Sequence, residues 1–340
     1  MRDAVVQPFR AARRVKISGL STYVPPKLLT NADLERLVDT TNEWILQRTG
    51  IRQRHIVEPG TATSDLAMEA ARGAMRQAGI TADQLGFIVV GTTTPDTIFP
   101  STACLVQDMI GATKAWGFDL GAACSGFTYA LTAGMQTVAS GAHDHALVVG
   151  ADVMSSIIDY TDRTTCVLFG DGAGAVVLSP ADDEEPAIID YAHEIDGSGA
   201  AALCMPAGGS RMPASHETID RRLHYVKQDG HAVFKFAVRK TEEISRRILE
   251  RNGIDASEVD LFVSHQANRR IITAAADRLG FPESKVIINL EKYGNTTAAT
   301  IPLALADAVE AGRLKRGDLV LVASVGAGFT VGSVLLRWSL

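Results

Sequence analysis

The chain has 340 residues, carries a formal net charge of −6, and is 46% hydrophobic and 21% charged, the balance of a globular protein able to bury a substantial core. The net acidity argues against a dedicated nucleic-acid binder, which carries a basic surplus. Four cysteines (Cys104, Cys124, Cys166 and Cys204) stand at no metal-ligand spacing and form no CxxC pair, a usage that suits a reducing, cytosolic setting and predicts neither a metal centre nor a bound cofactor.

The opening stretch, MRDAVVQPFRAARR, holds arginines but no apolar run of signal-peptide length, and reads as a short tail. Over 79–95, GITADQLGFIVVGTTTP predicts a helix end at glycine, an acidic loop and a β-branched strand closing in a polar cluster. Next, FDLGAACSGFTYAL (118–131) predicts a strand ending near Leu120, a turn of small residues and a helix from Ser125, with Cys124 at its mouth. That helix, 125–140, is almost uncharged, so it must be buried on all sides. HALVVGAD (145–152) continues as a strand, FGDGAGAVVL (169–178) as a structural turn, and the acidic SPADDEEPA (179–187) as a linker.

The second half repeats the first. GIDASEVDLFVSHQANR (253–269) lines up with 79–95, and NTTAATIPLALADAVEAG (295–312) with 124–141 without a gap; DLVLVASV (318–325) lines up with 145–152, and GAGFTVGSVLL (326–336) with 172–178. Four matches in one order predict an internal duplication, halves 1–183 and 184–340, with parallel strands covered by helices: an α/β protein. The central helices, 125–140 and 296–311, are expected between two sheets with their N-termini close together. Leu319 to Leu336 is free of charge and long enough for a membrane span, but Gly326, Gly328 and Gly332 interrupt it. Two buried strands around a glycine turn are expected there, and no membrane partner.

The repeat sets Cys124 opposite Asn295. A thiol at a helix N-terminus meets unpaired N–H groups and the positive end of the helix dipole, so its pKa is expected to fall. The small residues from Gly121 to Gly126 let a carbonyl approach, and the Cys124 N–H can serve as an oxyanion donor. SHQANRRI (264–271) supplies His265 at the C-terminal end of a strand, where ligands gather in parallel sheets. Taken singly, Cys124 reads as a buried filler, His265 as a satisfied core residue and Asn295 as a helix cap. Together, on three loops of a duplicated fold, they point to nucleophilic catalysis. The glycine-rich SVGAGFTVG (324–332) lacks the GK[ST] of a phosphate loop and reads as a tight turn against the cavity.

GAACSGFTYAL, HQANRRI, YGNTTAATIP and GAGFTVGS, in this order, resemble β-ketoacyl-acyl-carrier-protein synthase III, the condensing enzyme that initiates type II fatty acid synthesis. LTNADLERLVDTTNEWILQRTGIRQRHI (29–56), FPSTAC (99–104) and LFGDGAGAVVL extend the likeness over nearly the whole chain. The resemblance implies a thiolase-like, five-layered α-β-α-β-α fold and a homodimer. It implies that Cys124 takes an acyl group from acyl-CoA, with acetyl or another short acyl as primer. His265 and Asn295 then hold the thioester of malonyl-acyl-carrier protein during decarboxylation, and the backbone N–H groups of Cys124 and Ala327 form the oxyanion hole. By the same resemblance Trp44, Arg48, Arg163 and Arg270 bind coenzyme A, and Asn268 contacts its pantetheine arm. Phe99 closes the acyl pocket across the dimer, and Lys235 and Arg270 belong to the patch that receives the carrier protein.

Three positions depart from relatives: Ala327 replaces a glycine, Val325 a phenylalanine, and Asp277 a basic residue. They leave primer and carrier preference open. Two further readings stand beside the main one: a starter condensing enzyme or acyltransferase of secondary metabolism, and a non-catalytic acyl-CoA-binding protein.

Overall fold

The computed structural model describes residues 13–340; the short tail read at the N-terminus lies outside the described residues up to position 12. The elements that frame the site are β1 (Arg14–Tyr23), α1 (Asn42–Thr49), α2 (Thr63–Ala78), β2 (Phe87–Gly91), α3 (Thr102–Ile110), β3 (Trp116–Leu120), α4 (Gly126–Ala139), β4 (Ala146–Asp152), β5 (Gly172–Ala181) and β6 (Ile188–Ile195). They continue with α5 (Gly230–Arg251), β7 (Leu261–Ser264), α6 (Arg269–Leu279), α7 (Thr300–Glu310), β8 (Leu319–Gly326) and β9 (Thr330–Arg337).

Two sheets form. The first runs β1-β5-β4-β2-β3 and the second β7-β8-β9-β6. β2 is parallel to β3 and β4, β4 is antiparallel to β5, and β5 to β1. The second sheet repeats these directions, with β7 parallel to β8, β8 antiparallel to β9 and β9 to β6. A parallel bridge between Phe262 and Val286 stands where a fifth strand would lie. Thus β2, β4 and β5 correspond to β7, β8 and β9, the same segments that match in sequence. The uncharged run from Leu319 is the β8–β9 pair, and no helix among the described residues is long and apolar enough to cross a membrane.

The strands are continuous apolar runs because both faces of each sheet are covered. On β2, Val89 faces the centre with Phe127 and Leu131 of α4, and Ile301 and Leu305 of α7. Its neighbours Ile88 and Val90 face outward onto Ala67, Ala70 and Ala74 of α2. Beyond the second sheet, Phe262, Leu321 and Leu335 pack on Ile244 and Ile248 of α5 and Ile272 and Leu279 of α6. The result is five layers, with α4 and α7 enclosed between the sheets. Each fully buried leucine, isoleucine or phenylalanine there contributes about 1.5–3 kcal/mol. Pro302 sits in the first turn of α7, where its missing N–H breaks no helical bond.

Two expectations need correction. The linker is shorter than 179–187, because Ser179, Pro180 and Ala181 belong to β5. The ungapped match of the central helices holds only at their C-termini, where Gly141 and Gly312 both take left-handed φ. At the N-termini the left-handed residues are Ala123 (φ 46) and Thr297 (φ 53), each opening a short 3-10 turn. Cys124 therefore corresponds to Ala298, and Asn295 lies three residues earlier. Helix α4 has 14 residues and α7 has 11, so the two helices differ by almost one turn at the end that faces the site.

The two helix starts do meet. A Cβ placed on Gly126 would lie 3.3 Å from the Ala298 methyl, and one on Gly150 would lie 2.6 Å from the Ala298 carbonyl oxygen. A glycine at 150 is what lets the second half's helix start rest on β4.

Candidate active site

β3 ends at Leu120 and the chain turns through Ala123 into Cys124 and α4. A left-handed alanine costs on the order of 1 kcal/mol and persists only where neighbours hold it. Here Ala122 O accepts from Ser125 N (3.0 Å) and from Thr330 Oγ1 (2.8 Å), and Ser125 Oγ donates to Thr330 O (3.2 Å). These bonds tie the turn to the start of β9. Gly326, at the end of β8, comes so close that an added Cβ would stand 2.8 Å from both Ala122 O and Cys124 N. Gly326→Ala is expected to cost about 1–3 kcal/mol by overpacking. It should lower the thermal midpoint and slow modification of Cys124 together; an unchanged midpoint would show that the turn yields freely.

His265 follows β7, its N–H donating to Ala323 O (2.8 Å). The Thr300 hydroxyl donates to Thr297 O (3.0 Å) and lies 2.7 Å from His265 Nδ1. That hydroxyl can accept from Nδ1–H or donate to Nδ1, so it holds the ring in either tautomer. Asn295 is pinned by its backbone: its N–H donates to Leu168 O (2.9 Å), and its carbonyl accepts from Gly170 N (3.1 Å). Thr297 N–H donates to Asn295 Oδ1 (2.9 Å), which turns the amide NH2 toward the Cys124 sulfur.

Cys124, His265 and Asn295 line one cavity of about 460 Å³, with Val325, Gly326 and Phe329. All three are buried, while Arg48 and Arg270 on the same wall are exposed, so the cavity runs from a basic rim to the thiol. Burial pushes the Cys124 thiol up to about 12, and the buried Asp152 carboxylate adds to the shift. The thiol's own backbone N–H and Asn295 act in the opposite direction without outweighing them. This reverses the sequence expectation of a lowered pKa. Burial also pulls His265 down to about 3, so thiol and imidazole are both neutral at pH 7.

At the rim, Trp44 is flanked by two cations, with Arg163 at 5.2 Å and Arg48 at 5.9 Å from the ring centre. Trp44, Arg48, Asn268 and Arg270 border the cavity; Arg163 lies over the Trp44 ring and donates to Asp39 O (2.7 Å). Asn268 caps α6: its Oδ1 accepts from Arg270 N (2.9 Å), and its Nδ2 donates to Arg48 O (2.8 Å). Lys235 and Asp277 are exposed on α5 and α6. Ala327 is half-buried at the β8–β9 turn, next in the chain to Gly326 of the cavity wall, with no left-handed φ for its methyl to strain. Phe99 is not at the cavity; it is 84% exposed beside Ile98.

Sequence reasoning missed Thr300 and Asp152. Thr300 had no signal beyond its place at a helix start. Asp152 had one: in the repeat it stands opposite Val325, a carboxylate in the place of an apolar residue.

The family model described as 3-Oxoacyl-[acyl-carrier-protein (ACP)] synthase III matches residues 118–197, and the model for its C terminal matches 249–338. The beta-ketoacyl-[acyl-carrier-protein] synthase III of Solibacter usitatus is 60% identical over 96% of this chain and 99% of its own length. That of Koribacter versatilis is 57% identical over 97% and 99%. The crystal structure of the 3-oxoacyl-[acyl-carrier-protein] synthase III of Aquifex aeolicus superposes with a TM-score of 0.88 at 44% identity, covering 95% of this chain and 100% of that one.

Proposed function

This chain belongs to the β-ketoacyl-[acyl-carrier-protein] synthase III family, the thiolase-fold acyltransferases that initiate fatty acid synthesis, and from that premise we propose how its cavity performs the reaction. The observation that carries the reading is the convergence of Cys124, His265 and Asn295 on one wall, below a rim of Trp44, Arg48 and Arg270.

An acyl-CoA, with acetyl or another short acyl group, enters past the rim. Its adenine stacks on Trp44, and its phosphates meet Arg48, Arg163 and Arg270. Cys124 sulfur attacks the thioester carbonyl, the acyl group moves to Cys124, and the thiol proton leaves with the sulfur of coenzyme A. Malonyl-acyl-carrier protein follows, received at Lys235 and Arg270, with its pantetheine arm along Asn268. Its thioester oxygen is held by Asn295 NH2 and by His265 once Nε2 carries the ring hydrogen. Loss of CO2 leaves the electron pair as an enolate, whose carbon attacks the acyl-cysteine. The oxyanion formed there is held by the N–H groups of Cys124 and Ala327, and its collapse expels the Cys124 thiolate, which takes a proton from solvent. No metal or further cofactor has a part in these steps, and the enzyme works in the cytoplasm.

A homodimer completes the acyl pocket. Ile98 and Phe99 are exposed beside the edge strand β3, whose Trp116 and Phe118 are also open. An apolar face on an unpaired strand suits a second copy of the chain, which would bring Phe99 to the partner's pocket.

Intact-protein mass spectrometry after exposure to competing acyl-CoAs should show one short acyl group on Cys124, discharged as a 3-oxoacyl product when malonyl-acyl-carrier protein is added. Absence of any decarboxylative product with every primer would overturn the reading.

Thr300 keeps the imidazole in place through both steps, because a hydroxyl can accept from Nδ1–H or donate to Nδ1. Thr300→Val leaves that nitrogen unpaired in a buried site, at about 1–3 kcal/mol. Condensation should slow about 10- to 100-fold with acylation of Cys124 little changed, and Thr300→Ser should restore it. Equal loss in both half-reactions would contradict this.

A further inference from the structure

Arg54 is fully buried, and no carboxylate among the described residues pairs with it. It stands on the short strand Gln53–His55, which pairs antiparallel with Leu28–Thr30. Burial pulls the guanidinium down to about 10, so it is still a cation at neutral pH. Nη1 donates to Leu29 O (3.2 Å) and Asn31 Oδ1 (2.9 Å), while Nη2 donates to Val167 O (2.6 Å). Nε has no acceptor, so the hold rests on the two ends of the fork. The residues just after Val167 are the anchors of Asn295: Leu168 O accepts from Asn295 N, and Gly170 N donates to Asn295 O. The Arg54 stem packs at the same place. A Cβ on Gly170 would lie 3.0 Å from Arg54 Cβ and 2.4 Å from Tyr293 O. One on Gly294 would lie 3.2 Å from Arg54 Cβ and 2.9 Å from Leu168 O. Arg54 therefore borders both chain segments whose pairing fixes Asn295.

We propose that Arg54 is a positioning residue for Asn295, its guanidinium fork setting the segment 167–170 on which the Asn295 backbone rests. A buried cation held only by carbonyl and amide oxygens is exacting. Any shift of the segment leaves a carbonyl or the charge itself without a partner, among the costliest defects a fold can carry. Lysine cannot stand in, because one ammonium does not reach from hairpin to loop as a planar fork does. The other two reacting side chains have separate anchors. Cys124 is held through Ala122, Ser125 and Thr330, and His265 through Ala323 and Thr300. None of these is a partner of Arg54, so a loosened fork acts on Asn295 alone of the three.

The inference rests on the reading of Asn295 as a holder of the malonyl thioester in the second step. Its test compares Arg54→Lys, Asn295→Ala and the double variant, each assayed well below its thermal midpoint. Because a misplacement of about 1 Å can cost about 10²-fold, Arg54→Lys should slow decarboxylation of malonyl-acyl-carrier protein about 10- to 100-fold. Acylation of Cys124 at saturating acyl-CoA should stay within about twofold of wild type. In the Asn295→Ala background the same change should cost no further decarboxylation rate, because the amide it positions is gone. A packing role alone would slow both half-reactions together or add to the Asn295→Ala loss; either result overturns the proposal. Wild-type protein that releases no CO2 from malonyl-acyl-carrier protein overturns the reading of the site, and this inference with it. Should the buried ammonium keep Arg54→Lys from folding, Arg54→Met, which has no charge to bury, goes through the same cycle with the same expectation. Failure of both to fold would make Arg54 a residue of the fold alone and also overturns the proposal.

Discussion

Cys124→Ala is expected to abolish acyl-enzyme formation and to lower condensation on the order of 10⁴-fold or more, since Cys124 is the one thiol on the cavity wall among the described residues. The fold should survive. The change removes one sulfur from a turn whose shape is held by Ala122, Ser125 and Thr330 through backbone and hydroxyl bonds. His265 and Asn295 keep their own anchors, so slow decarboxylation of malonyl-acyl-carrier protein should continue without a condensed product. Mass spectrometry with acyl-CoA and assay of CO2 release read the two halves of this expectation. A surviving acyl adduct would place the nucleophile elsewhere.

His265→Ala should show the reverse split. Removing one donor to a developing oxyanion costs about 2.7–4 kcal/mol, a factor of roughly 10² to 10³ in rate. The loss should fall on decarboxylation and condensation, while Cys124 still accepts an acyl group. Because burial already keeps His265 neutral, with its pKa near 3, the residual acylation should show no inflection near pH 6.5. Complete loss of the acyl-enzyme in this variant would contradict the assignment of His265 to the second step.

Much of this was legible in the chain. Strand after strand of β-branched residues alternates with helices, and the same series occurs twice. Two helices at matching places, almost uncharged through much of their length, have only one stable location, between two covered sheets. Residue type carried the site as well: one cysteine among small neighbours, one histidine at a strand end and one asparagine before a helix. Less was visible at the turns. The ungapped match put Cys124 opposite Asn295 because small and hydroxyl residues look alike across that region, and only backbone φ at Ala123 and Thr297 sets the true register. The thiol's ionisation was misjudged for a related reason. A helix N-terminus is readable locally, but burial, the larger cause of the shift, is a property of the whole fold, and the carboxylate that adds to it comes from a strand 28 residues later. Phe99 remained away from the cavity because its proposed role needs a second chain.

The difference in length between α4 and α7 has a wider consequence. Two copies of one fold with equal helices would present the same residue twice across their axis, and a symmetric pair has no division of labour. With one helix cut back by almost a turn, the proposed reaction has one half offer a group that is consumed and restored, and the other groups that only hold charge. Neither half contains a working centre. Turnover then reports how tightly the two halves keep their alignment, and damage at the seam, such as a methyl forced between Gly150 and Ala298, should silence the enzyme while both halves are still folded.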